Sequence, residues 1–325
     1  MSHLASRRAV LRYSVAAALA VRLRLSLAQA GAPAFSLPIG LPGQPLGDGF
    51  FIRHGYATEN SWYNPGWLHT AEDFYDPNGN AAGAGVYSVA DGEIVFAGSE
   101  YPGLVVIVQH ADDLFSMYGH LDHALAVERG RVRRGQLLGT VLDRTDGRAP
   151  SHLHFELRTF LTTPEVNGNA PRYAVGCGFD CAPGPGYWPI DAPEHPSAMG
   201  WRNPTHVIAR RSFGGAPPDG AEVVVASGSG DTATLWSEPA DHADAELVGD
   251  LRLRAGDRYA LLSIATGPEA SLETSSEGYR LWYRIAVPDG GTAWVAGVAP
   301  SAHDTGSDGR PSSVRFEFLP AVTAG

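Results

Sequence analysis

The sequence predicts an all-β protein, an antiparallel sheet followed by a small barrel, and three observations carry that reading. Thirty-nine glycines and 24 prolines punctuate short apolar runs throughout the 325 residues, the pattern of strands and turns rather than of long helices. "VYSVADGEIVFAG" (86–98) sets an Asp-Gly turn between two strand-like runs, a strong hairpin signal. Strand-length runs then recur as "GLVVIVQH", "LFSMYGHL", the hairpin-like "GRVRRGQLLGTVL" and "SHLHFEL". With 44% hydrophobic residues, the chain is long enough for two domains with cores of their own.

The elements follow in order. Residues 1–30 hold five arginines and no acid, with a basic start, a short apolar stretch (Val15–Val21) and small residues at Ala28 and Ala30, as in a cleavable export signal. "SRRAVLR" leaves twin-arginine and Sec export both open. Seven uninterrupted apolar residues fall far short of the ~20 that a membrane helix needs, so no membrane span is expected in the mature protein. Residues 31–48, rich in Gly and Pro, read as a linker. A first domain is expected over 49–212, another linker over 213–221, a small β-barrel over 222–299 and a polar tail over 300–325. "VRFEFLPAV" in that tail has the pattern of an edge strand and is left unassigned.

Between Thr159 and about Trp201 the sequence turns irregular and predicts a long surface loop. It contains the only cysteines, Cys177 and Cys181. In an exported chain these read as a local disulfide; a zinc site would need two further ligands that the neighbourhood does not offer.

All 24 basic residues are arginine, against 35 acids, for a net charge of −11. Without the five arginines of the leader the balance is 19 against 35, or −16. This argues against a nucleic-acid partner, because phosphate binding calls for clustered positive charge.

Seven of the 12 histidines lie between His54 and His154. In "SHLHFEL" strand alternation points His152 and His154 one way and Leu153 and Phe155 the other. One such pair alone reads first as two hydrogen-bonded histidines on a half-wet strand, and further partners are needed to make it a site. "HTAED" adds His69 and Asp73, a nitrogen and an oxygen donor of the kinds zinc takes. Four residues of flat strand would hold their Cα atoms ~13 Å apart, so that segment must curl if both are to meet one ion. "YGHL" adds His120.

Together, and in this order, H-x-x-x-D, Y-x-H-L and H-L-H-F-E resemble the lysostaphin-type (LytM-like) zinc metalloendopeptidases. "VYSVADGEIVFAG" and "VRRGQLLGTV" look like that family's intervening strands, and the similarity spans roughly residues 49–158. The resemblance implies a zinc ion held by His69, Asp73 and His154, with His120 and His152 beside it as catalytic residues. Ala71 stands where the family usually has glycine. Three protein ligands leave a coordination position for water, as in catalytic zinc sites. A nearby histidine can take a proton while another supports an oxyanion: His152 is assigned the base and His120 the oxyanion, an assignment that spacing alone does not dictate. No H-E-x-x-H or G-x-S-x-G occurs. Glu156 shares the face of His154 and reads as solvated or as a support for it; Asp91 and Tyr118 are further candidates, and His54, His110 and His123 read as structural or surface residues.

"ELVGDLRLRAGDRYALL" and "LWYRIAVPDGGTAWVAG" resemble a bacterial SH3-like domain. That resemblance makes Trp236, Trp282 and Trp294 candidate contacts for cell wall, with a core role for at least two of them as the competing reading. The function implied is that of an exported, monomeric zinc endopeptidase, periplasmic, wall-associated or extracellular, cutting peptide bonds in peptidoglycan. A wall-binding or amidase-activating protein without activity, and an exported protease of protein substrates, are the alternatives.

Overall fold

The computed structural model describes residues 33–321 apart from 62, 99–102, 125–129, 146, 148, 162–185, 273–278, 308 and 310. The expected leader and the Cys177–Cys181 pair lie outside the described residues. Among the described residues the protein is nearly all β, as its turn-rich sequence predicts, and every paired strand is antiparallel.

The larger sheet has 13 strands. Across it run β1 (Ile39–Gly40), β5 (Gly85–Tyr87), β10 (Leu137–Val141), β8 (Phe115–Ala124), β11 (Leu153–Arg158), β4 (Glu72–Tyr75), β2 (Phe51–His54), β21 (Pro311–Phe316) and β20 (Val298–Thr305). Four more hang on this path: β7 (Leu104–Gln109) on β8, β6 (Gly92–Gly98) on β7, β9 (Arg131–Val132) on β6, and β13 (Trp201–Arg202) on β11. A separate ribbon pairs β3 (Trp67–His69) with β12 (Tyr187–Pro189). The second sheet has seven strands in the order β16 (Leu247–Arg252), β15 (Thr232–Trp236), β19 (Thr292–Ala296), β18 (Leu281–Ala286), β17 (Arg258–Thr266), β14 (Glu222–Val225) and β22 (Phe318–Pro320).

Alternation decides which way β11 faces. Leu153, Phe155 and Leu157 are fully buried in the main core with Phe74, Tyr118 and Ile52, which turns His154, Glu156 and Arg158 to the opposite face. That face is buried as well, because the second half of the expected 159–201 surface loop packs against it. Short helix α1 (Pro196–Met199) and strands β12 and β13 lie there, with Trp188 and Trp201 at 1% and 0% exposure. Helix α2 (Pro204–Arg211) follows, started by Pro204 and by the Asn203 side chain accepting from the His206 N–H, and ended on Arg210 and Arg211, each where the helix dipole and the unpaired end groups favour it.

Both ends of the described chain belong to the fold more closely than composition suggests. In the expected linker, Phe35, Leu37 and Ile39 are buried, and Ile39 pairs with Val86. In the expected tail, β21 adds to the β2 side of the larger sheet, with Phe51 facing Arg315 and Ile52 facing Val314, while β22 closes on β14 of the second sheet. One hydrophobic cluster holds Ile52, Phe74 and Phe155 together with Val223, Tyr283, Val295 and Phe316. Polar contacts cross the same boundary: Arg211 Nε donates to Glu269 Oε1 at 3.1 Å, and the Tyr279 hydroxyl accepts from the Tyr56 N–H at 2.6 Å. The expectation of two halves joined by an undemanding linker therefore does not match the packing.

Phe316 is 4% exposed and its ring lies 6.4 Å from that of Phe74. Phe316→Ala should cost ~3–5 kcal/mol in a denaturant melt. A chain ending at residue 221, which uncovers this shared core, should lose the cooperative transition altogether by circular dichroism.

Candidate metal centre

The site is assembled by a bend and a register. β3 ends at His69, the chain turns at Thr70 and Ala71, and β4 resumes in the larger sheet; this is the curl that the spacing of His69 and Asp73 demands. Asp73 then lies directly opposite His154 across β4 and β11, with His54 opposite it on the other side. On the far flank of β11, Gly119 faces His154, and a Cβ at Gly119 would stand 3.3 Å from that of His154. The glycine keeps this approach open. His120 follows with φ 62°, a left-handed conformation uncommon for a residue with a side chain. It sits where β8 exchanges β11 for β10 as its neighbour on one edge, Gly119 pairing with His154 and Leu121 with Val141, while β7 stays on the other.

The donor atoms converge. His69 Nε2, His154 Nδ1 and one Asp73 carboxylate oxygen form a buried group within 4.8 Å of one another. His69 Nε2 lies 3.2 Å from His154 Nδ1, and Asp73 Oδ1 lies 3.4 and 3.1 Å from these two nitrogens. What lies behind each ring fixes which nitrogen carries its proton. His69 Nδ1 is 3.2 Å from the His54 carbonyl, and His154 Nε2 is 3.3 Å from Glu156 Oε1. A carbonyl only accepts, and so does an ionised carboxylate. Hydrogen bonds held by Glu156 make it such a group: against its burial, Arg158, His154 and Trp201 lower its pKa. Both imidazoles thus donate outward and, when neutral, direct lone pairs inward at each other and at Asp73. Such an arrangement needs a cation in its middle. A proton can supply one: burial opposes the charge, but hydrogen bonds to Asp73 and Glu156 push His154 up to about 9.

His152 and His120 complete the five. His152 Nδ1 donates to the Pro150 carbonyl at 2.7 Å, so its neutral ring keeps a lone pair on Nε2, 3.7 Å from Asp73 Oδ2. Burial lowers its pKa, Asp73 opposing. Its ring stacks on Tyr75 at 4.7 Å and meets the edge of His120 at 4.7 Å. His120 lies 6.1 Å from His154. All five candidate residues are thereby brought together. Tyr118, Asp91 and His110 are not. The Tyr118 hydroxyl bonds Ser116 and the Val89 N–H, and His110 bonds the Asp91 carbonyl and Ser116, all away from the cluster. The His123 side chain lies outside what is described. His54 contributes its carbonyl, while its own ring is pushed down to about 4, chiefly by burial.

Sequence reasoning missed the depth of support behind His154. Glu156 is fully buried rather than solvated, and accepts from Thr70 Oγ1, Arg158 Nη1 and Trp201 Nε1 at 3.1, 2.9 and 3.1 Å. Its place two residues after His154 was the one signal available. Trp201 and Thr70 lie too far along the chain to be read.

A family model described as peptidase family M23 matches residues 69–170. The cell division protein DipM of Caulobacter vibrioides is 44% identical over 78 residues, 23% of this chain and 13% of that protein. Lipoprotein NlpD of Yersinia enterocolitica is 35% identical over 78 residues, 23% of this chain and 78% of the relative. The chain belongs to peptidase family M23. The peptidoglycan DD-endopeptidase ShyA of Vibrio cholerae is a further M23-like relative, 35% identical over 91 residues, 27% of this chain and 20% of its own length. The chain thus spans only a small part of DipM and of ShyA. The M23 match contains His69, Asp73, His120, His152 and His154, and ends before Trp201 and the second sheet. No helix among the described residues is long and apolar enough to cross a membrane.

Zinc titration should saturate at one ion per chain. Glu156→Gln should weaken binding by ~10–100-fold in chelator competition, the usual effect of removing the partner behind a histidine ligand.

Proposed function

We propose that this M23 protein is a zinc metalloendopeptidase, with His69, Asp73 and His154 holding the ion and peptidoglycan peptide as its substrate. The observation that carries the reading is the convergence of donor atoms: a nitrogen of His69, a nitrogen of His154 and an oxygen of Asp73 meet in one buried group, and the other nitrogen of each ring lies on an acceptor. Two nitrogens and one oxygen are the donor set of catalytic zinc with a position left for water. When bound, zinc supplies a Lewis acid and lowers the pKa of a coordinated water towards ~7.

His152 is the base. Its Nδ1 proton is committed to the Pro150 carbonyl, so Nε2 is the atom that takes the proton from the attacking water and later passes it to the leaving amine. Tyr75, stacked flat on the ring, restricts its rotation. His120 faces the same space from the fork of the larger sheet and donates to the oxyanion that develops on the scissile carbonyl. Its left-handed backbone is the kind of strained conformation that packing preserves at working positions.

Export fits the leader and the envelope relatives, and the domain reading places the peptidase at 49–212 and an SH3-like module at 222–299. Trp236 and Trp294 face each other on neighbouring strands and, like Trp282, are half-buried rather than core. This favours the surface-contact reading of these side chains over the core one, and supports attachment to wall. The competing reading is an amidase activator without turnover of its own; retention of all five residues in one cluster weighs against it. An exported protease of protein substrates shares the chemistry and differs only in groove.

Digestion of purified peptidoglycan, with mass analysis of the fragments, tests the function: new amino termini within the peptide are expected, and unchanged sacculi with a zinc-loaded protein would refute it. His69→Ala and Asp73→Ala should lose the metal. His152→Ala and His120→Asn, asparagine being tolerant of the left-handed region, should retain it and lose turnover by ~10²–10⁴-fold; near-normal hydrolysis by both would overturn the division of roles.

A further inference from the structure

The C-terminal hairpin formed by β20 and β21 does more than complete the sheet. It ends beside the metal centre. β21 pairs with β2, β2 with β4, and β4 carries Asp73. Beyond the last paired residues the hairpin reaches over the segment that precedes His69 and is pinned there at three points. Arg53 pairs with Asp304 through Nε and, at 3.3 Å, through Nη2. Ser61 Oγ donates to the Thr305 carbonyl at 2.9 Å, and the Ser307 N–H donates to Glu59 Oε2 at 3.1 Å. His303 stacks on Phe51 at 4.3 Å.

Between hairpin and segment lies a recess of about 310 Å³, lined by His54, Glu59, Ser61, His303, Asp304, Thr305 and Ser312. That is far more than the space a single bridging water needs. Its inner wall is one residue from two ligands: His54 lies opposite Asp73 in the sheet, and its carbonyl holds His69. His54 is 2% exposed, and neither of its ring nitrogens has a hydrogen-bond partner, a costly state for a buried polar side chain unless something enters to meet it.

The charges say what. Among the described residues two carboxylates line the recess and no arginine does. Arg53 compensates Asp304 from behind. Glu59 accepts hydrogen bonds from the Ser307 side chain and from the backbone N–H groups of Gly66 and Ser307, which hold its carboxyl below the ordinary range, so it is ionised at neutral pH. Each carboxylate oxygen keeps acceptor capacity beyond these bonds. With the hydroxyls of Ser61 and Ser312 and the His54 ring, the recess offers acceptors and one uncompensated negative charge.

We propose that this recess is a substrate subsite, built by the C-terminal hairpin, that takes a primary ammonium group of the peptide lying across the metal centre. The ammonium belongs either to a diamino-acid side chain or to a free peptide amino terminus. The proposal rests on the peptide-substrate reading above and deepens it. It also gives the hairpin, which lies outside the M23 match, a part in specificity.

Binding rather than turnover tests it, so that its failure is distinct from failure of the catalytic reading. Calorimetry with the full chain, zinc-loaded, would compare one short peptide carrying a lysine-like side chain in four forms: both amines free, the α-amine acetylated, the side-chain amine acetylated, and both acetylated. The expected result is at least threefold tighter binding of one singly acetylated form than of the doubly acetylated one, which identifies the source of the ammonium. Glu59→Gln and Asp304→Asn should each shrink that ratio towards one, leaving the doubly acetylated peptide bound as before. Equal binding of all four forms by the wild type would overturn the proposal, as would a loss in the variants that falls on every peptide alike, the mark of a merely structural role. Cleavage of these peptides, measured in parallel, reports on the catalytic reading alone.

Discussion

Everything else in this protein is arranged around one electrostatic demand: two imidazole lone pairs and a carboxylate are held within hydrogen-bonding distance of one another, in a place that water hardly reaches. Left to themselves these groups repel or take up a proton. They stay because each is fastened from behind by a group that cannot yield. His69 is tied to a main-chain carbonyl, itself part of a strand, and His154 to a carboxylate that is in turn held by Thr70, Arg158 and Trp201. A rigid backing of this sort raises the basicity of ligands and fixes their tautomer before any metal arrives. Buried Arg158 and Glu156, which are expensive as an isolated pair, make sense as that backing.

The same demand explains why the fold is not modular. A cluster whose donor atoms come from β3, β4 and β11 is only as rigid as the strands beside them. β2 would be an edge next to Asp73 if the chain stopped after the second sheet; β21 covers it, and edges left open fray and pair with other chains. The core beneath runs on without a break from Phe155 to Phe316 and Val295. The second sheet therefore stabilises the first through shared packing, whatever it also binds.

Much of the site was legible in the sequence because its residues are local: strand alternation put His152 and His154 on one face, and the spacing of His69 and Asp73 required the bend found at Thr70 and Ala71. The all-β class followed from turn residues and short apolar runs. What escaped reading is long-range. Arg158, Trp201 and Thr70 meet at Glu156 from three places in the chain, and no pattern announces such a meeting. Composition also misled at the ends. The alternation of Phe35, Leu37 and Ile39 is a strand-like signal, yet Gly and Pro around it suggested a linker. "VRFEFL" carried the same alternation, but only the register with Ile52 shows that it belongs to the peptidase side. Trp236, Trp282 and Trp294 sit on the outer face of their sheet, half-buried, because Ala233, Tyr283 and Val295 take the inward positions.

The position of His120 joins these threads. A residue with a side chain adopts φ 62° at the point where β8 changes neighbour, and the strain is of order 1–3 kcal/mol. A glycine there would relieve it, and one stands immediately before, at Gly119, where the approach to His154 leaves no room for a Cβ without displacement. The two neighbours thus divide the work: Gly119 gives up its side chain so that β11 comes close, and His120 accepts a costly backbone so that its imidazole turns towards His152 instead of into the core. Such a cost persists only where surrounding structure holds it, here the β7 pairings on one side of β8 and those of β11 and β10 on the other. The strained histidine and the shared core are therefore one arrangement, since the pairings that hold His120 belong to the sheet that the core supports.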